Sequence, residues 1–288
     1  MDAIFTLIIT SIIDGLAFAM LLFLIACGLS IIFGLMGVLN FGHGAFFMLG
    51  AYVAATLFEY CQNFAIALIG AGLFGMLLGL ILEYSTLRPV HGKHLPQLLL
   101  TLGYLVVSTQ AVLLIWGAVP KLFYPPGITG SVTLFGLRIL LYRVFLIFFG
   151  IATAIVIYVI LTRTRIGIVI RAGAEDSEMV EALGINVKRV FTLTFGLGSA
   201  LAAIGGAVGV PWLGANPALG TNYLFMGFVV TVVGGMGSFK GSFFGSILVG
   251  ILHTFTAYFL PQVTFLIDFI VMAVVLLVRP GGLSGKWG

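Results

Sequence analysis

The sequence predicts an all-α polytopic membrane protein, a bundle of about eight or nine transmembrane helices in a single domain spanning 1–288. Three observations carry that reading. The chain is 61% hydrophobic and 8% charged, against roughly 25% charged in an ordinary soluble domain. Its apolar runs reach the ~20 residues needed to cross the hydrocarbon core. The runs are also solid, without the ~10-residue alternating segments of a membrane β-barrel.

The first span is expected at 15–36. The preceding MDAIFTLIITSIIDG has no basic region and no small-residue cleavage site, so it reads as retained sequence and not as a signal peptide. Further spans follow at 44–60, 64–86, 96–117, 142–162, 190–212, 241–260 and 263–279. The segment 223–237 is short and ends in Gly-Gly-Met-Gly, which makes it a ninth crossing or half of a broken helix.

Charge orients these spans. Alternation places Arg88, Lys93, Arg163, Arg165, Arg171, Lys188, Arg189, Lys240, Arg279 and Lys286 on one side, and only Lys121, Arg138 and Arg143 on the other. Basic residues accumulate in cytoplasmic connections. The N-terminus is therefore expected outside, with the C-terminus and a loop at about 163–189 in the cytoplasm. Tyr60, Trp116, Trp212 and Tyr258 fall at the outer ends, where amphipathic rings settle. The net charge of +4 thus reports topology and implies no nucleic-acid partner.

Catalysis finds little support. There is no nucleophile elbow, no H-E-x-x-H and no metal-ligand spacing, and His43, His91, His94 and His253 are scattered. His91 and His94 read as solvated loop residues, and Cys27 and Cys61 as two buried free thiols. No G-x-x-x-x-G-K-[ST] is present, so the chain holds no cofactor site for ATP and magnesium of its own. Asp14, Glu59, Glu83 and Asp268 lie near segment ends. The absence of acids at mid-span argues against an ion-coupled secondary carrier, which would need them. The pairs Gly75/Gly79, Gly205/Gly209 and Gly241/Gly245 read as close-packing faces within the bundle.

Two stretches carry more information. In GLMGVLNFGHGAFFMLGAY, 34–52, five glycines interrupt an apolar run around Asn40 and His43. This is a broken or re-entrant segment lining a translocation pathway, or else a short turn with both side chains satisfied locally. GGMGSFKGSFFG at 234–245 echoes it. The second stretch, RAGAEDSEMVEALGINVKRV at 171–190, holds seven of the chain's 22 charged residues. Asp176 or Ser177 can cap a helix, and Glu175, Asp176, Glu178 and Glu181 place negative charge in its first turns. Met179, Val180 and Leu183 form an apolar face, and Gly184 can end the helix in a left-handed conformation. The acids fit poorly against an anionic leaflet. A short cytoplasmic coupling helix docking into a soluble partner is the better reading.

At these residues the chain resembles the permease subunits of ATP-binding-cassette importers, whose coupling helix carries an E-A-A…G motif. Glu178 and Gly184 stand at its spacing, followed by Ile185, while Met179 and Val180 replace the small pair. Arg171, Lys188 and Arg189 match flanking basic positions. GLSIIFGLMGVLNFGHGAFFMLGAY, GLGSALAAIGGAVG and VVGGMGSFKGSFFG are similar, in order, to blocks of the branched-chain amino acid (LivH-type) permease family. Gly42 stands where alanine is commoner. The resemblance implies a five-part importer: this chain, a second related permease, two cytoplasmic ATP-binding subunits and an extracytoplasmic substrate-binding protein. It implies the bacterial inner membrane and leucine, isoleucine or valine as cargo. Urea or short-chain amides are the alternative, since their permeases share the pattern.

Overall fold

The computed structural model describes residues 3–37, 39–128, 130–134 and 137–284. Among these, the chain forms eleven α-helices and one small β-hairpin. The helices are α1 (Ala3–Met36), α2 (His43–Cys61), α3 (Phe64–Leu82), α4 (His94–Trp116), α5 (Leu141–Arg163), α6 (Arg165–Glu175), α7 (Ser177–Ala182), α8 (Val187–Leu213), α9 (Leu219–Gly234), α10 (Phe239–Phe259) and α11 (Thr264–Val278). Strands β1 (Ser131–Leu134) and β2 (Leu137–Leu140) pair antiparallel just before α5.

Eight of these helical stretches are long and apolar enough to cross a membrane, and α9 is a shorter apolar helix of 16 residues. It is continuous and largely buried, so 223–237 is not half of a broken helix. Its sixteen residues rise only about 24 Å, which suits a span surrounded by protein. α1 begins at Ala3, not at 15, and its 34 residues rise about 51 Å. The β-hairpin was not expected from the sequence; four-residue strands are too short to show a period.

The start of α1 and the segment after α11 lie at opposite ends of the bundle. α1 and α10 run antiparallel: Gly15 faces Ile251, and Gly34 faces Gly237. The C-terminal segment closes the same end, with Leu283 N–H donating to the Val233 carbonyl at 2.9 Å and Ser284 N–H to that of Gly234 at 3.0 Å. Arg163, Arg165, Arg171, Lys188, Arg189 and Lys240 collect there, and Lys286 lies outside the described residues. Lys121, Arg138 and Arg143 occupy the opposite end.

The bundle is organised on α8. Its buried face meets α1, α2 and α3 at positions where one helix's backbone lies against the backbone or a small side chain of another. A Cβ on Gly28 would lie 2.5 Å from the Gly198 carbonyl oxygen, and one on Gly79 would lie 2.7 Å from Ser199 Cβ. Gly50 abuts the Ala203 backbone, Gly75 the Ala203 side chain, and Gly206 the Phe47 carbonyl. All three G-x-x-x-G pairs thus pack inside the subunit, Gly205 on Leu24 and Phe47 and Gly241/Gly245 on Gly234. Lipid gives helices no hydrophobic reason to associate, so this van der Waals contact holds the bundle. Large apolar side chains such as Leu114, Ile115 and Leu277 face outward from α4 and α11. Cys27 is buried, but Cys61 is exposed at the end of α2, correcting the expectation of two buried thiols.

Gly206→Ala adds a methyl against backbone that cannot swing aside, and overpacking of this kind costs about 1–3 kcal/mol. The expected result is a lower melting temperature of the purified protein in detergent. Gly103→Ala, where nothing lies within 4 Å of the added atom, is expected to leave melting unchanged or raised.

Candidate functional site

The loop between α5 and α8 folds into two helices, where the sequence suggested one. Thr164 caps α6 by accepting from Gly167 N–H at 3.1 Å, and Gly167, Ile170 and Gly173 form its buried stripe. Arg171 is exposed on α6, and Glu175 is that helix's last residue. Glu175 therefore does not lie in the first turn of the coupling helix, as expected. Asp176 is the cap of α7, its carboxylate accepting from Met179 N–H at 2.9 Å. Glu178 lies in the first turn, and Glu181 near the end.

α7 ends in a Schellman motif. Ile185 N–H donates to the Val180 carbonyl at 3.3 Å and Gly184 N–H to that of Glu181 at 2.9 Å, with Gly184 at φ +80°. Asn186 then caps α8, accepting from Arg189 N–H at 3.1 Å. The three apolar residues do not share one face. Val180 is 4% exposed and anchors α7 inward, while Met179 at 59% and Leu183 at 73% point into solvent. A six-residue helix shows two sides, and the inward one takes Val180, the shortest of these three apolar side chains. The outcome is a capped knob with two apolar side chains at its tip, ringed by exposed Glu175, Asp176, Glu178 and Glu181.

The Gly-rich stretch is broken at 37–42. Gly37 turns the chain at φ +65°, and residues 39–42 lead into the bundle. His43, the first residue of α2, places Nε2 3.1 Å from the carbonyl of Ile25, eleven residues before the end of α1. Phe41 N–H donates to Thr101 Oγ1 of α4 at 3.2 Å. Gly44 packs on Gly220, which itself meets Leu105, eleven residues into α4. Eleven residues of helix rise about 16 Å. α2 therefore starts near mid-depth, and irregular backbone at that depth is tolerated only because protein surrounds it.

Asn40 and Gln97 are each 2% exposed. Among the described residues neither side-chain oxygen has a hydrogen-bond partner, and the Asn40 nitrogen and His43 Nδ1 have none either. Asn40, Gln97 and Thr101 line one cavity of about 10 Å³, roughly the room for one water. Gln97 and Thr101 were missed from sequence, because they sit singly in an apolar α4. The echo at 234–245 lies against this break: Gly237, at φ +83°, meets Gly34 of α1.

Two acids depart from their expected settings. Glu83 is fully buried at a π-helical turn after α3, accepts from Thr192 Oγ1 of α8, and lies 3.0 Å from His91 Nε2. His91 is thus not a solvated loop residue. Asp268 is buried within α11, with both oxygens about 3 Å from His253 Nδ1. Asp268 lies four residues into α11, near the segment end as expected, but it is buried and paired instead of open to solvent. No group of three or more potential metal ligands occurs among the described residues.

A multi-pass helical bundle with a mid-depth helix break and a capped knob at its basic end is the architecture of a membrane permease. Residues 11–278 match the sequence profile of the branched-chain amino acid transport system permease component, and the chain belongs to that family. It is 30% identical over 279 residues to the high-affinity branched-chain amino acid transport system permease protein LivH of Salmonella typhimurium, covering 91% of each chain. It is 31% identical over 296 residues to the Pseudomonas aeruginosa permease BraD, covering 95% of this chain and 94% of that one. The solved structure of PsaBC from Streptococcus pneumoniae in complex with Fab shares the fold, with a TM-score of 0.50, 13% identity and coverage of 92% of this chain and 89% of that one.

An unpartnered buried amide costs about 1–3 kcal/mol. Asn40→Leu, similar in volume, is expected to hold or raise the melting temperature in detergent. A marked fall would mean that ordered water already satisfies the Asn40 amide.

Proposed function

We propose that this chain is one of two membrane-spanning subunits of an ATP-driven importer for leucine, isoleucine and valine. The observation that carries the reading is the knob at 176–186: an exposed Met179–Leu183 tip on a helix capped at both ends, in a chain with no phosphate loop. Energy must therefore come from outside the subunit. The partners are a second related permease, two cytoplasmic ATP-binding subunits that bind ATP and magnesium, and an extracytoplasmic binding protein that selects the cargo. The printed names of the relatives support the cargo class.

In this reading the basic end faces the cytoplasm, the N-terminus lies outside, and the bilayer is the bacterial inner membrane. Met179 and Leu183 seat in a cleft of the ATP-binding subunit, where burying an apolar side chain is worth about 1.5–3 kcal/mol. Arg171, Glu175, Asp176, Glu178 and Glu181 ring that seat and set its register. Val180, Gly184 and Ile185 hold the knob's shape. Asn40 and His43 line the translocation pathway, joined by Gln97. Their unpaired polar atoms can replace part of a polar solute's hydration, which an apolar bundle otherwise cannot. The subunit itself performs no hydrolysis.

Proteoliposomes carrying the four membrane-associated subunits test the proposal. Leucine uptake is expected to require both ATP and the binding protein. Uptake driven by an ion gradient alone would sink it, and transport of urea in place of leucine would correct the cargo. Glu178→Lys and Gly184→Asp are each expected to leave insertion and assembly intact while removing cargo-stimulated ATP hydrolysis. Full stimulation in both variants would overturn the docking assignment.

A further inference from the structure

The end of the bundle opposite the knob holds a second polar cluster that the helix break does not explain. Asp14 of α1 is 6% exposed. It forms an ion pair with Arg143 of α5 and accepts from Tyr258 of α10 at 2.6 Å. Arg143 is the one arginine paired with a carboxylate among the described residues. The same cavity, about 260 Å³, is lined by Asp14, Arg143, Tyr258 and His253.

A guanidinium has five N–H donors, and Asp14 is the only acid that Arg143 meets among the described residues. Its guanidinium lies 4.1 Å over the Trp212 ring, and the residue lines both this cavity and a smaller one of about 130 Å³ that Arg138 also lines. His253 is fixed by Asp268: a carboxylate only accepts, so Nδ1 carries the proton. In the neutral ring Nε2 is then an acceptor, and it has no hydrogen-bond partner among the described residues. Phe18 stacks on the His253 ring at 4.9 Å and closes the floor, while Leu213 and Ala257 complete an apolar wall. Ionisable groups within a span mark solute pathways when they face a cavity.

We propose that this cavity is an entry site for a zwitterionic amino acid. Arg143 takes the α-carboxylate, Asp14 and the Nε2 atom of His253 take the α-ammonium, and the aliphatic side chain rests on Phe18 and Trp212. A guanidinium matches a carboxylate bidentately, and a cavity below the ~300 Å³ of drug-sized pockets suits a molecule of this size. Below it, Phe18 meets Tyr223 at 6.2 Å and Tyr223 stacks on Phe47 at 5.0 Å. That ladder leads from the cavity to the first turns of α2, where the break lies. The inference rests on the reading that the cargo is a branched-chain amino acid.

The test uses the assembled importer in lipid nanodiscs, without binding protein, with Trp116→Phe and Trp287→Phe so that Trp212 is this subunit's one tryptophan, and the same importer carrying Trp212→Phe as well is the blank for the other subunits. L-leucine is expected to give a saturable fluorescence change. 4-Methylpentanoate, lacking the ammonium, and 3-methylbutylamine, lacking the carboxylate, are each expected to bind about tenfold or more weakly. Arg143→Gln and Asp14→Asn should each weaken leucine by a similar factor. The exchanged pair, Asp14→Arg with Arg143→Asp, should recover the melting temperature but not the leucine response. Recovery of both would reduce the pair to a structural brace, and equal binding of leucine and its two fragments, or no saturable response, would overturn the site. ATP-driven leucine uptake by wild-type proteoliposomes separates the outcomes: uptake with a silent Trp212 refutes only this site, and absent uptake refutes the cargo.

Discussion

Backbone contact along α8 is the constraint on which everything else depends. A soluble bundle can tolerate a loose helix, because water drives its apolar face inward. In lipid that drive is gone, and association depends on how closely two surfaces fit. Gly196, Gly198, Ser199, Ala203 and Gly206 keep α8 narrow enough for α1, α2 and α3 to touch it. At Gly50 and Gly206 the contact is with a main chain that cannot rotate out of the way. This explains why a chain with so few charges still has one arrangement. The small residues fix position where side-chain volume cannot.

Once α8 is fixed, the irregular backbone at 37–42 becomes affordable. α1 and α8 enclose it on one side, and α4 supplies Thr101 to the Phe41 N–H on the other. Starting α2 at mid-depth places the first turn of a helix in the interior, beside the Asn40 amide and the Gln97 oxygen, which have no hydrogen-bond partner among the described residues. Such an arrangement is costly in an apolar setting. It survives because the surrounding contacts are strong enough to carry it. The buried Glu83–Thr192 contact adds a polar tie between the end of α3 and the start of α8, close to where the loop 163–189 rejoins the bundle.

The helical class, the crossings and the sorting of basic residues were legible because membrane solvation writes them into composition. The cap at Asp176 and the left-handed Gly184 were legible too, being local chemistry confined to a few residues. The break at 37–42 was visible as a cluster of glycines, but its depth was not; depth depends on which part of α1 lies beside His43. The partners of Asp14, Glu83 and Asp268 were hidden for the same reason. Arg143 is 129 positions from Asp14, and Thr192 is 109 from Glu83. No period or spacing connects such residues. Met179 and Val180 looked alike in sequence, and only the turn direction of a six-residue helix separates them.

The knob has no slack. Asp176 closes its entry and Asn186 its exit, so α6, α7 and α8 meet at two stiff corners with no flexible linker between. In the proposed reading, a force on the tip passes through these two capped corners into the bundle. The arm that receives it is α8, which is also the shaft against which α1, α2 and α3 are seated. A small rotation applied there moves three helices at once, one of them the helix that begins beside Asn40. The same glycines that lock the resting arrangement would, in that reading, gear the bundle to turn as a unit.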